Sequence, residues 1–163
     1  MANVDKEKAF EEAIIRYGAI VTKICYYFAC DNEEFKDLRQ ETLYNIWKGF
    51  DGFKHDAKFS TWIYRVCFNT CISFRRKEKP AVKISIENVP DLADSDSTEI
   101  VEQYKTLHSL ISRLKYEERA MILMWLEGIS YDEISSLTGL KRNNVAIRLK
   151  RIKDKLIKMA GKE

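Results

Sequence analysis

The stretch "KFSTWIYRVCFNT", Lys58 to Thr70, interleaves basic side chains with Phe59, Trp62, Tyr64 and Phe68. Rings alternating with cations suit a single-stranded nucleic acid, because rings stack on bases at about 1–3 kcal/mol each while cations follow phosphates. Two other readings stay open on these residues alone. A helix buried on both faces would explain the rings but leave the arginines awkward. A membrane-surface helix would explain both, yet no long amphipathic anchor accompanies the stretch. A second set lies further on, in "LKRNNVAIRLKRIKDK": Asn143 and Asn144 offer amides to adenine edges, arginines suit guanine, and Ile147 suits a thymine methyl. A third set, Asp51, His55 and Asp56, suggests a metal-dependent nuclease. Three residues in one loop, without further paired carboxylates in matching context, make too thin a site for that chemistry. No catalytic residue, metal ligand set or cofactor motif is therefore expected.

The elements that must carry these residues are helical. Six glycines and two prolines in 163 residues, with little strand-like alternation, predict an all-α fold. The pattern gives helices over about 5–30, 33–50 and 61–77, the last following the loop "FDGFKHDAKFS". Both prolines fall within "PAVKISIENVPDLADSDSTE", which reads as a flexible acidic linker between two small helical domains. The expected organisation is residues 1–79, linker 80–99 and residues 100–163. Stretched out, a twenty-residue linker reaches at most about 70 Å.

Projection of the third helix puts Ile63, Val66, Cys67, Thr70 and Phe74 on a core face. Tyr64, Arg65, Phe68, Asn69, Ile72, Arg75 and Arg76 fall on the other side, with Trp62 at the boundary. In the last domain Ser130, followed by Glu133, predicts a capped short helix over about 131–138. Gly139 then supplies the turn, and a longer helix starts near Lys141–Asn143. Its apolar stripe is Val145, Leu149, Ile152 and Leu156. This is a helix-turn-helix with a basic second helix.

Charge supports a polyanionic partner. Residues 51–80 carry seven Lys/Arg against three Asp/Glu, and residues 103–163 thirteen against seven; residues 81–102 between them carry one against six. Two basic blocks on one chain favour nucleic acid. No apolar run approaches the length of a membrane span, and the charged "MANVDKEKAFEEAI" lacks a signal core, so a cytoplasmic location is expected. Cys25/Cys30 and Cys67/Cys71 lack CxxC spacing and read as small buried thiols in a reducing compartment.

Two segments together resemble one family. "DLRQETLYNIWKGFDGFKHDAKFSTWIYRVCFNTCISFRRK" is similar to the second conserved region of the extracytoplasmic-function sigma factors, and "LKYEERAMILMWLEGISYDEISSLTGLKRNNVAIRLKRIKDKL" to the fourth. The resemblance implies a promoter-specificity subunit of bacterial RNA polymerase that assists promoter melting. By that likeness Asp37, Leu38, Gln40, Glu41 and Trp47 dock on the clamp helices of the polymerase's largest subunit. The loop Asp51–Lys58 receives a flipped-out base of the minus-ten element. Lys58, Phe59, Ser60, Thr61, Trp62, Tyr64, Arg65 and Asn69 read or hold the melted strand, and Arg75, Arg76 and Lys77 hold phosphates. Arg142, Asn143, Asn144, Ile147, Arg148, Lys150, Arg151 and Lys155 meet the minus-thirty-five duplex. Promoter DNA and core polymerase are the implied partners, with a membrane-bound anti-sigma factor as a restraining one. One departure stands out: Ala146 and Ile147 replace the basic and small polar residues common in the family. The competing expectation is a stand-alone helix-turn-helix regulator, which leaves the aromatic helix and the Asp37–Trp47 motif without a role.

Overall fold

The computed structural model describes residues 3–53, 58–77 and 98–161. Most of the expected linker therefore lies outside the described residues. So do His55 and Asp56 of the loop and the side chain of Lys77. The described residues form seven α-helices and one short 3-10 turn, without a strand. They divide into two compact units, Met1–Ser95 and Asp96–Glu163.

The first unit is a three-helix assembly of α1 (Asn3–Phe28), α2 (Asn32–Gly49) and α3 (Phe59–Lys77), with the 3-10 turn at Phe50–Gly52. α2 starts where it does because Asp31 is extended and its side chain accepts from the Glu34 amide at 2.8 Å. The Glu34 carboxylate reaches back to the amide of Cys30 at 3.2 Å. Glu33 and Glu34 in the first turn and Lys48 in the last complement the helix dipole. The core is built from Val21, Ile24, Cys25 and Phe28 of α1, Leu38 and Ile46 of α2, and Ile63, Cys67 and Cys71 of α3. Each fully buried Ile, Leu or Phe contributes about 1.5–3 kcal/mol. Thr42 is buried among them at no cost in unmet hydrogen bonds, since its hydroxyl donates to the Leu38 carbonyl at 2.8 Å. The Cys25 sulfur lies 3.6 Å from the same hydroxyl. Burial pushes the Cys67 and Cys71 thiols up, so both stay protonated and unreactive at neutral pH.

The second unit comprises α4 (Thr98–Ile111), α5 (Tyr116–Leu126), α6 (Tyr131–Thr138) and α7 (Arg142–Gly161). α4 begins at Thr98, inside the expected linker, whose last two residues are therefore helical. α5 is deeply buried, Arg119 to Met124 in succession. Arg119 tolerates that position because its guanidinium donates to the carbonyls of Ser112 and Leu114, at 2.9 and 3.1 Å. Both carbonyls lie in the turn between α4 and α5, outside the hydrogen-bond ladder of either helix. The Ser130 side chain accepts from the Glu133 amide at 3.2 Å and opens α6. Gly139, at φ 77°, ends it in the left-handed region that a side chain would strain. Ile134 of α6 and Val145, Leu149 and Ile152 of α7 close this core, with Leu156 half-buried.

Candidate functional site

In the first unit, α2 turns one polar face outward. Asp37, Gln40 and Glu41 are exposed, and Tyr44 and Lys48 continue the same face at helical spacing. Leu38 departs from the expected docking set: it is fully buried, so its side chain cannot meet a partner. Trp47 is half-buried, with the ring of Phe10 edge-on at 5.2 Å and the amine of Lys6 4.2 Å from its ring centre. Tyr44 is not in the expected docking set, yet it is 59% exposed on the same face. Its place one turn beyond Gln40 and Glu41 was the available signal.

The rings of Lys58–Thr70 divide between two surroundings. Phe59 and Trp62 are half-buried and belong to a cluster that closes the α2–α3 loop. Phe53, before the loop's centre, lies 5.2 Å from Phe59, after it, and 5.6 Å from Trp62. Phe50 adds contacts to Phe59 at 5.9 Å and Trp62 at 6.4 Å, and Tyr17 of α1 meets Phe59 at 5.3 Å. Gly49 makes room, since a β-carbon there would sit 3.2 Å from the Trp62 ring. The edge-to-face members of this set, Phe53–Phe59, Phe50–Phe59 and Phe50–Trp62, add about 0.5–1.5 kcal/mol each beyond burial. These two rings therefore hold the loop's ends together within the protein.

Phe68 is also a correction. It is buried, packed against Phe28 and covered by Tyr64, whose ring lies nearly parallel at 6.4 Å and 20°. Among the described side chains, what faces solvent on α3 is narrower than the projection: Arg65, Asn69, Ser73 and Arg76, with Lys58 just before the helix. Ser60, Thr61 and Tyr64 are half-buried at its edge.

Arg75 departs furthest from a phosphate-binding role. Its guanidinium pairs with the Glu34 carboxylate and donates to the Phe28 carbonyl at 3.0 Å and the Cys30 sulfur at 3.1 Å. Its side chain is only 10% exposed.

In the second unit, α7 presents Arg142, Asn143, Asn144, Ile147, Arg148, Lys150, Arg151 and Lys155 outward, all exposed. Ile147 is 50% exposed among these asparagines and arginines, less than Ile157 further along the same helix at 69%. Two of the cations are tethered. Arg142 pairs with Asp132 of α6 at 3.2 Å, and Lys155 with Glu118 of α5 at 3.2 Å. Glu118 also accepts from the Lys115 amide at 3.2 Å, so one carboxylate joins the start of α5 to α7. Among the described residues no group of His, Cys, Asp or Glu is arranged to hold a metal ion. None of the described helices is long and apolar enough to cross a membrane.

Comparison with known proteins follows these two faces. Residues 13–80 match the family model described as Sigma-70 region 2, and residues 104–156 match Sigma-70, region 4. The chain is 24% identical over 154 residues to the ECF RNA polymerase sigma factor SigM of Mycobacterium tuberculosis, covering 94% of this chain and 78% of that protein. It is 25% identical over 166 residues to the ECF RNA polymerase sigma factor SigW of Bacillus subtilis, covering 93% and 89%. Two solved structures share the fold. CnrH, in complex with the cytosolic domain of CnrY, gives a TM-score of 0.70 at 20% identity over 96% of this chain and 90% of its own. The sigma factor RpoE, in complex with the anti-sigma factor NepR from Bartonella quintana, gives 0.75 at 18% identity over 94% and 98%.

Proposed function

Because the chain belongs to the sigma-70 family, as an RNA polymerase sigma factor of the extracytoplasmic-function type, we propose a division of labour among its exposed faces. The outward face of α2 docks on the clamp helices of core polymerase. The α2–α3 loop with Lys58, Ser60, Thr61, Tyr64, Arg65 and Asn69 holds the opened minus-ten strand, and Arg76 meets its phosphates. α7 reads the minus-thirty-five duplex. The observation that carries this reading is exposure: on α2, α3 and α7 the polar and charged side chains of the matched regions stand outward together with Tyr44 and Ile147, while Leu38, Ile63, Cys67, Val145 and Leu149 are buried.

The mechanism needs no bond made or broken by this chain. Opening a duplex costs a few kcal/mol per unstacked step and least at flexible A·T-rich steps. Groups that bind only the opened strand lower the free energy of the melted state, and phosphodiester synthesis stays with the polymerase. The protein is accordingly no enzyme and acts in the cytoplasm. A restraining anti-sigma factor, as NepR is named for RpoE, completes the set of partners.

Docking is tested by Gln40→Ala with Glu41→Lys, and separately by Tyr44→Ala. Each is expected to weaken binding to core polymerase about ten-fold or more, since truncating central contacts removes at least about 1.4 kcal/mol. Duplex binding by α7 should not change. Unaltered affinity for the core would refute the assignment of this face.

The recognition helix mixes two kinds of contact. Asn144→Ala should relax sequence preference by about 1–3 kcal/mol if its amide spans an adenine. Lys150→Ala should weaken all sequences alike and flatten the salt slope by about 0.9. Lys155→Ala should move that slope less, because its amine is held by Glu118. Binding isotherms across salt on a set of single-base variants would separate the two classes. Identical profiles for Asn144→Ala and Lys150→Ala would defeat the division.

A further inference from the structure

We propose that Lys6, in the first turn of α1, is a positioning residue for the strand-holding face of the first unit. This role rests on the reading of that face given above. Lys6 is an unusual lysine, its side chain only 13% exposed. Its amine lies 3.0 Å from the Asp51 carboxylate and 4.2 Å over the Trp47 ring. One turn on, Phe10 sits edge-on to Trp47 at 5.2 Å and to Phe50 at 6.0 Å. Phe50 in turn meets Phe59 and Trp62, at 5.9 and 6.4 Å. A continuous set of contacts thus runs from the start of α1, through the end of α2, to the first turn of α3.

The chemistry of Asp51 gives this arrangement its purpose. Its carboxylate is 57% exposed beside a surface meant for a polyanion. Left alone, it would repel the phosphates of a bound strand. The Lys6 ammonium neutralises it and fixes its direction, and Trp47 supplies a second, cation-attracting wall. Lys6 itself is occupied in this way and need not touch DNA. The segment Phe50–Phe53 is held from α1, so the loop's start does not depend on α2 and α3 alone.

The test uses the full-length protein with core polymerase, on a promoter chosen from sites that the wild-type holoenzyme protects. That promoter is made with its minus-ten region already mismatched, and as a series with single abasic positions on the non-template strand. Lys6→Gln is expected to shorten the lifetime of the complex about three- to ten-fold, the range of a partly buried ion pair with a cation–π contact. The loss should vanish at the one abasic position where the captured base is missing, and Lys6→Arg should restore the lifetime. Asp51→Asn should be milder, and adding it to Lys6→Gln should recover part of the loss. A Lys6→Gln defect of equal size at every abasic position would reduce Lys6 to a general structural role and overturn the proposal. A wild-type complex indifferent to every abasic position would overturn the strand-holding reading, and the proposal with it.

Discussion

Arg75→Ala is expected to destabilise the first unit by about 3–5 kcal/mol, the cost of breaking a buried ion pair from one side. Three chain segments meet at this guanidinium. α1 ends at Phe28 without a basic residue in its last turn, and Arg75 supplies one from α3 by donating to the Phe28 carbonyl. α2 begins at Asn32, and Arg75 pairs with Glu34 of its first turn. The Cys30 sulfur between them accepts a third contact. Without the guanidinium, Glu34 keeps the Cys30 amide but is left with an unbalanced charge at a side chain only 14% exposed. Urea unfolding followed by the first unit's tryptophans would measure the loss. Arg76→Ala is the control: the neighbouring side chain is exposed, so its stability should stay within about 0.5 kcal/mol while the salt slope of single-strand binding flattens by about 0.7. If Arg75→Ala matched Arg76→Ala on both measurements, the pair would be equivalent phosphate ligands and the structural role assigned to Arg75 would be wrong.

That contrast shows where the sequence was legible and where it was not. Arg75 and Arg76 stand side by side in one basic run, and charge counting treats them alike. About 100° of helical rotation separates them, and the carboxylate that claims one of them lies on another helix. Local signals fared better. Ser130, Glu133 and Gly139 act through hydrogen bonds and backbone angles within a few residues, so α6 runs from Tyr131 to Thr138 as its caps dictate. Val145, Leu149 and Ile152 repeat at helical spacing against a single core, and all three are buried. α3 gave a poorer reading because it meets protein on more than one side. Phe68 lies off the stripe of Ile63, Cys67 and Thr70, yet Phe28 and Tyr64 cover it. Leu38 within "DLRQE" illustrates the same point on α2: a motif places a residue in a segment, while rotation about the helix decides whether it faces a partner or the core. The pairing of Lys6 with Asp51 was invisible, since each is an ordinary surface type in its own segment.

Arg65→Ala combined with Asn69→Ala should reduce open complexes on a duplex promoter by about 30- to 1,000-fold, if together they forfeit about 2–4 kcal/mol of contact with the melted strand. These two side chains are exposed and one turn apart on α3, so they can be removed without touching the core. Tyr64→Ala is a poorer probe, because its ring covers Phe68 and its loss would also cost stability. Tyr64→Phe keeps that cover and isolates the hydroxyl. On a template already mismatched across the minus-ten region, the duplex no longer has to be opened. Contacts to the strand are still lost there, but the polymerase's own hold on the bubble limits the defect to about ten-fold. Permanganate reactivity of unpaired thymines, followed in time on both templates, would report the difference directly. Equal losses on the two templates, together with unchanged thermal stability, would mean that Arg65 and Asn69 supply general affinity for DNA. The source of melting would then have to lie among the half-buried residues at the start of α3, Ser60 and Thr61, which the aromatic contact between Phe53 and Phe59 holds beside the loop.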